Sequence, residues 1–215
     1  MSKINKSELI QLCLQSGTLK FGEFPLKSGR LSPYFFLASE LFKSGKILKQ
    51  LGECYAQAIE DAQMSFDVLF GPAYKGIPVV ASTAVAYANS FDRDIAYSFN
   101  RKESKAYGEG GSIIGTALKG RVVVLDDVLT AGTAFRDSVK FIQGAGAEVA
   151  GLVVLFDRQE KGLGEKSAIQ EIEEQHGIPV VRLMGLSDLI DYIHNNESYR
   201  QHLPALEAYR QKYGI

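Results

Sequence analysis

The run VVVLDDVLTAGTAF, residues 122–135, constrains the fold of this chain more than any other stretch. Val122 to Leu125 are consecutive apolar residues without alternation, the pattern of a strand covered on both faces in a parallel sheet between helices. The run then enters Asp126 and Asp127, passes through Thr130-Ala131-Gly132-Thr133, and continues into a helical pattern of Phe135, Val139 and Ile142 ended by Gly144. A turn of small and hydroxyl residues at a helix N-terminus offers free backbone N–H groups and a favourable dipole, so it can hold a phosphate. Two carboxylates beside a phosphate repel it unless sugar hydroxyls or a divalent cation fill the gap. The stretch therefore suits a sugar phosphate rather than phosphate alone. No lysine lies between Asp126 and Arg136, so this is not a P-loop, and the three-glycine dinucleotide pattern is missing too.

Other stretches repeat the arrangement. Phe66 to Phe70 reads as a strand, then comes Gly71-Pro72-Ala73-Tyr74-Lys75-Gly76, then a helix from Ile77 to Ala88. A loop with two glycines and a proline brings backbone N–H groups close to a ligand, and Lys75 is either solvated or a point charge there. Ile95 to Phe99 is a further strand leading into residues 100–111, NRKESKAYGEGG. That segment is either a solvated loop or a mobile lid that brings Arg101, Lys102 and Lys105 over a polyanion. Val149 to Phe156 is a long apolar strand ending in Asp157-Arg158-Gln159-Glu160. Arg158 can hold a planar carboxylate bidentately, or pair with Asp157 or Glu160. Helices are expected over 167–175 and 187–195, with a strand over 180–184 and a helical tail over 198–213 turned near Pro204.

Upstream, Ser7 is expected to cap a first helix with Leu9, Ile10, Cys13 and Leu14 on its apolar face, stopped by Gly17. The Ser28-Gly29 pair between apolar flanks predicts a hairpin, and Ser32 to Leu37 predicts an aromatic strand. The aromatics there, Tyr34 among them, can be core, and a planar ligand could stack on Phe35 or Phe36 instead. Ser44 to Ala62 is a long amphipathic helix with Leu48, Leu51, Tyr55, Ala58 and Ile59 on one stripe.

Alternation of strands and helices from Phe66 onwards predicts an α/β fold with right-handed crossovers, a mostly parallel central sheet and flanking helices. Ligands of such sheets collect at the carboxyl ends of the strands. The loops at 71–76, 100–111, 126–133 and 157–160 all follow strands, so they are expected to converge on one edge. At 215 residues, with 46% apolar and 23% charged, the chain fits one globular domain spanning 1–215. A net charge of −1 gives no reason to expect a nucleic-acid or membrane partner. Cys13 and Cys54 cannot build a disulfide framework or a thiolate zinc site; they read as core thiols of a reduced, cytoplasmic protein. His176, His194 and His202 lie outside the motifs and are expected on the surface.

Taken together, these groups suit a phosphorylated sugar bearing a second, labile anionic group. With no evident nucleophile, direct displacement at the sugar is favoured over a covalent intermediate. Stabilising the departing charge and aligning the reactants would be the main tasks, aided by magnesium and the lid lysines.

VVVLDDVLTAGTA resembles the phosphoribosyl diphosphate (PRPP) motif of type I phosphoribosyltransferases. FGPAYKGIP, FNRKE, GEGG, DRQE and KSGR with SPYFF are similar, together, to the orotate phosphoribosyltransferase branch of that family, and the likeness runs through nearly the whole chain. The resemblance implies a type I fold with residues 1–40 forming an N-terminal hood of helix and antiparallel strands. It implies PRPP and orotate as substrates, pyrimidine nucleotide (UMP) biosynthesis as the role, and a homodimer whose lid lysines Lys102 and Lys105 act in the partner's site.

Residue by residue, it implies that Asp126 and Asp127 meet the ribose hydroxyls. The turn Leu129, Thr130, Ala131, Gly132 and Thr133 would hold the 5′-phosphate, Val128 and Ala134 would also belong to the PRPP site, and Tyr74, Lys75 and Arg101 would lie against the diphosphate. Lys27 would touch both substrates, with Phe35 and Phe36 on the orotate ring, Arg158 on its carboxylate, and Thr130 on the carboxylate or ring. Asp126, Asp127, Lys102 and Lys105 are the candidate catalytic residues. Mg2+ would be held mainly by PRPP, with Asp127 the one side chain placed to share it. A cis peptide at Ala73-Tyr74 is also implied.

Two departures stand out. Ala106-Tyr107 occupies the lid positions where the family carries Asp-His, and Tyr107, itself a PRPP-binding candidate, can donate a hydrogen bond but brings no cation near pH 7. Leu37 stands where asparagine is usual. Two rivals remain at this point: a type I transferase for a purine base, which needs no arginine for a carboxylate, and a non-catalytic PRPP sensor, which would tend to lose the lid cations and gain a basic face.

Overall fold

The computed structural model describes residues 5–26, 28–105, 111–129, 132–162 and 164–215, with the backbone alone at 103–105 and 111. In chain order the elements are α1 (Lys6–Gln15), β1 (Leu19–Pro25), β2 (Leu31–Phe36), α2 (Gly45–Asp61), β3 (Val68–Gly71), α3 (Gly76–Phe91), β4 (Tyr97–Lys105) and β5 (Gly111–Gly115). They continue with β6 (Arg121–Leu129), α4 (Thr133–Gly144), β7 (Glu148–Asp157), α5 (Ala168–His176), β8 (Val180–Gly185), α6 (Leu186–His194) and α7 (Leu203–Tyr213). One six-stranded sheet has the order β5-β4-β3-β6-β7-β8, and β1 and β2 form a separate antiparallel pair. Every pairing in the large sheet is parallel except β4 with β5.

The unbroken apolar run at Val122 to Leu125 lies fully buried at the centre of the sheet, as its lack of alternation requires. Val122 and Val124 face one layer with Phe135, Val139, Ile142 and Ile172, from α4 and α5. Val123 and Leu125 face the other, with Leu51, Tyr55, Val80 and Ile190, from α2, α3 and α6. Helices thus cover both faces, and the polar ends of the strands remain as the place for chemistry.

Some local expectations change. Asn5 rather than Ser7 caps α1, its side chain accepting from the backbone N–H groups of Ser7 and Glu8. The first half of the 100–111 segment is not loop: β4 runs on to Lys105 and pairs antiparallel with β5, Phe99 and Asn100 lying opposite Ile114 and Ile113. This hairpin interrupts the strand–helix alternation. Strand β6 likewise continues through Asp126 and Asp127 to Leu129, since its ladder with β7 holds to Leu129↔Asp157. Of the histidines only His194 is exposed; His202 stacks on Phe21 with 4.3 Å between centroids, and His176 packs edge-on against Phe135 at 5.3 Å.

Candidate active site

The carboxyl edge of the parallel strands gathers most of the residues singled out above. Lys75 Nζ lies 2.7 Å from Asp127 Oδ2, joining the 71–76 loop to β6. The Ala73 N–H donates to Asn100 Oδ1 at 2.8 Å, joining the same loop to β4. Arg158 follows the last residue of β7, Asp157, which is in register with Leu129 of β6.

The loop after β3 owes its shape to its glycines. A Cβ on Gly71 would sit 2.2 Å from the Gly76 carbonyl oxygen, and one on Gly76 would sit 2.6 Å from Pro72 Cδ. No other residue permits so close a return of the backbone onto itself. The turn presents Tyr74 and Lys75 to solvent at the edge of the site, and the Ala73-Tyr74 peptide is cis. Lys102 Nζ stands 4.8 Å from the centre of the Tyr74 ring, a cation–π contact between the loop and β4 of the same chain.

The two acids differ in environment. Asp127 is 5% exposed and its charge is met by Lys75, itself half-exposed. Asp126 accepts the Asp127 N–H at 2.9 Å, and its backbone carbonyl accepts the Tyr55 hydroxyl at 2.6 Å. Burial first, and the adjacent Asp127 carboxylate second, raise the Asp126 pKa from 3.8 to about 7. With one lysine between two neighbouring acids, incoming hydroxyl donors would relieve the crowding of negative charge.

Beyond Leu129, Gly132 adopts a left-handed conformation (φ 68°) that lets the chain turn into α4, with Thr133 and Ala134 exposed at its first turn. A Gly there needs no steric compensation, and the first turn of a helix leaves N–H groups without intrahelical partners, which is what an anion can use. Val128 is half-buried and Leu129 buried, so their side chains serve the core and only their backbone is available to a ligand.

Arg158 is buried beneath the β1–β2 hairpin. Its guanidinium lies 2.6 Å from Glu160 Oε1, its Nη2 donates to Ser32 Oγ at 3.0 Å, and its plane lies 4.4 Å from the Tyr34 ring centre. The ion pair with Glu160 is thus present, one of the two alternatives the sequence left open. Tyr34 is wholly buried, its hydroxyl partnerless among the described residues and its ionisation pushed up by burial. Phe35 and Phe36 point to opposite faces of their strand. Phe36 is core, stacked on Phe156 at 4.7 Å, whereas Phe35 is half-buried beside Phe24. Of the two rings, only Phe35 keeps surface that something outside the core can touch.

Arg101 is half-buried on β4. Lys27, Ala106, Tyr107, Thr130 and Ala131, and the side chain of Lys105, lie outside the described residues. Sequence reading raised the Arg158–Glu160 pair but overlooked Asn100, Ser32, Tyr209 and the hydrogen bond from Tyr55 to the Asp126 carbonyl. A polar Asn100 at the end of an apolar strand could have flagged the first; nothing local marks Tyr209, 51 residues from Arg158.

Comparison with known proteins points the same way. Residues 38–179 match the phosphoribosyl transferase domain family. The orotate phosphoribosyltransferase of Thioalkalivibrio sulfidiphilus is 53% identical over 213 residues, covering 99% of this chain and 100% of that protein. Among solved structures, orotate phosphoribosyltransferase from Francisella tularensis superposes with a TM-score of 0.85 at 40% identity, covering 97% of this chain and 100% of that one. The Mycobacterium tuberculosis orotate phosphoribosyltransferase in complex with 5-phospho-alpha-D-ribosyl 1-diphosphate shares the fold, with a TM-score of 0.64 at 23% identity over 86% of this chain and 98% of that one.

Proposed function

The chain belongs to the orotate phosphoribosyltransferase family, and from that premise we propose how the residues gathered at the sheet edge carry the reaction. The protein transfers the 5-phosphoribosyl group of PRPP to orotate, giving orotidine 5′-monophosphate and diphosphate, a step of pyrimidine (UMP) biosynthesis. At the anomeric carbon the bond to the diphosphate oxygen breaks, that oxygen keeping the electron pair, as orotate N1 bonds to the carbon and gives up its proton to the departing diphosphate or to solvent.

Asp126 and Asp127 accept hydrogen bonds from the ribose hydroxyls, and the 5′-phosphate sits on the N–H groups from Leu129 to Ala134 at the start of α4. Tyr74, Lys75 and Arg101 border the diphosphate. Holding sugar and base in line removes much of the entropic barrier, and cations at the departing oxygens stabilise charge that grows only in the transition state. Lys102 and Lys105 supply two such cations from the partner subunit of a homodimer, and Lys27 bridges the two substrates. Arg158 takes the orotate carboxylate, with Thr130 beside it and Phe35 against the ring.

Magnesium fits the donor set: Asp127 offers hard carboxylate oxygens, and one carboxylate plus substrate phosphates is a usual way to hold this ion. Among the described residues no group of three or more His, Cys, Asp or Glu side chains is placed to hold a metal ion. Once bound it would neutralise charge on the diphosphate. The cytoplasmic location rests on the two unpaired thiols, Cys13 buried and Cys54 half-buried.

The observation that carries this reading is the meeting, on one strand edge, of an acid pair, a helix N-terminus and a buried arginine. Orotate consumption in the presence of PRPP and magnesium, followed by ultraviolet absorbance, tests it directly. Turnover should require all three components and fall at least tenfold with a chelator. A purified, folded protein that binds neither substrate by calorimetry would overturn it.

A further inference from the structure

Glu160 is the hub of a network that the reaction as described does not use. Its Oε1 lies 2.6 Å from the Arg158 guanidinium and accepts the Tyr209 hydroxyl at 2.9 Å, while its Oε2 lies 3.2 Å from Arg30 Nη1. Arg158 Nη2 also reaches Tyr209 Oη at 3.4 Å. Arg30 in turn donates to the Lys161 carbonyl at 2.9 Å and stacks over the Tyr213 ring at 4.9 Å. The backbone is pinned as well: Glu160 bridges to Gly214, the Lys161 N–H donates to the Tyr213 carbonyl, and the Ile215 N–H donates to the Gln159 carbonyl. Three distant pieces of chain, the β1–β2 hairpin, the turn after β7 and the C-terminal helix α7, thus meet around one guanidinium.

A lone arginine beneath a hairpin would sample several rotamers and would lose that freedom on binding a carboxylate. Here Nε and Nη2 are committed to Glu160, Ser32 and Tyr209, and the Tyr34 face closes one side of the plane. Nη1 has no partner among the described residues. A guanidinium fixed through Nε and Nη2 presents Nη1 in a set direction, so a carboxylate approaching from that side meets a donor already in place. Arg30 offsets the second half of the Glu160 charge, so the carboxylate can hold Arg158 without neutralising it towards a ligand.

We propose that Glu160, with Tyr209 of the C-terminal helix, is a positioning residue that orients Arg158 to receive the acidic group of the pyrimidine substrate. This rests on the assignment of Arg158 to the orotate carboxylate, and a double-mutant cycle separates the two. Orotate and PRPP KM and kcat would be measured for wild type, Arg158→Ala, Glu160→Gln and the double variant, with folding checked by circular dichroism. Glu160→Gln should raise the orotate KM roughly 10–100-fold while PRPP KM stays within about twofold, the range for a misplaced binding group. In the Arg158→Ala background the same change should add nothing to the orotate KM. Tyr209→Phe, which keeps the ring and loses the hydroxyl, should shift orotate KM in the same sense by about threefold. It serves as the second measurement if Glu160→Gln does not fold. An unchanged orotate KM in Arg158→Ala would defeat the carboxylate assignment. A large effect there, with no effect of Glu160→Gln or Tyr209→Phe, or with a Glu160→Gln effect that persists without Arg158, would overturn the positioning role alone.

Discussion

Lys75 Nζ and Asp127 Oδ2 are 2.7 Å apart, and that contact ties the loop after β3 to the neighbouring strand β6. Asp127 is buried and Lys75 half-exposed, so the pair contributes little net stability. Asp127→Asn removes both the attraction to Lys75 and the repulsion of Asp126. The two roughly offset, and thermal stability of the unliganded protein should change by no more than about 1 kcal/mol, or ~2–4 °C in Tm. PRPP affinity should fall instead, by roughly 10–150-fold, the loss of a hydrogen bond to a charged acceptor worth about 1.5–3 kcal/mol. Differential scanning fluorimetry and a PRPP titration check the two halves.

Asp126 makes the stability of the ligand-free protein depend on pH. Its folded pKa is raised from 3.8 to about 7 by burial and by Asp127, so between those values the folded state binds more protons than the unfolded one. Stability from this group is full below about pH 4 and is lost as pH rises through 7. The Tm of the wild-type protein should therefore fall across that window relative to Asp126→Asn, which carries no titrating carboxyl there. A wild-type and variant pair with parallel Tm–pH curves between pH 4 and 8 would contradict the assignment.

Gly76 sits where the loop after β3 closes on itself. A methyl group there meets Pro72 Cδ at 2.6 Å and the Gly71 carbonyl carbon at 2.7 Å, and neither is the end of a flexible side chain. Gly76→Ala should cost about 1–3 kcal/mol, as overpacking does, and lower Tm by several degrees. Because Tyr74 and Lys75 ride on the same turn, PRPP KM should rise more than orotate KM. Equal effects on both substrates would show that the loop serves the fold alone.

Much of this was legible in the sequence, for reasons that differ by element. The non-alternating Val122 to Leu125 run can be satisfied only by cover on both faces, so the sheet and its helical layers follow from it. The Gly71 and Gly76 pair and the Ser28-Gly29 turn carry their geometry in residue type. The extension of β4 and β6 into polar sequence did not show, because a ladder with a neighbouring strand holds residues extended whatever their polarity. The rest of the grip on Arg158 was hidden for another reason: the Glu160 pair is local and was foreseen, but Ser32 and Tyr209 are far from Arg158 in the chain and reach it only through the packing of the β1–β2 hairpin and of α7.

Lys102 stands over Tyr74 of its own chain, 4.8 Å from the ring centre, while the proposed reaction places it in the partner's site. The two positions are compatible if the β4–β5 hairpin swings on binding PRPP, since a cation–π contact at an exposed ring is worth only about 0.5–1 kcal/mol and is readily exchanged for a phosphate. Mixing two crippled variants distinguishes action within a chain from action across a dimer. Arg158→Ala damages the base pocket and Lys102→Ala the lid, so each homodimer should be nearly inactive alone. In a two-fold dimer of one of each, the subunit with intact Arg158 would receive an intact Lys102 from its partner, while the other site lacks both. Random reassortment makes half of the dimers mixed, with one good site in each, so activity should recover to about a quarter of wild type. If Lys102 served its own chain, every site in every dimer would carry one lesion, and no recovery would follow. Mixing after brief denaturation and refolding, with each variant refolded alone as control, reads the difference directly.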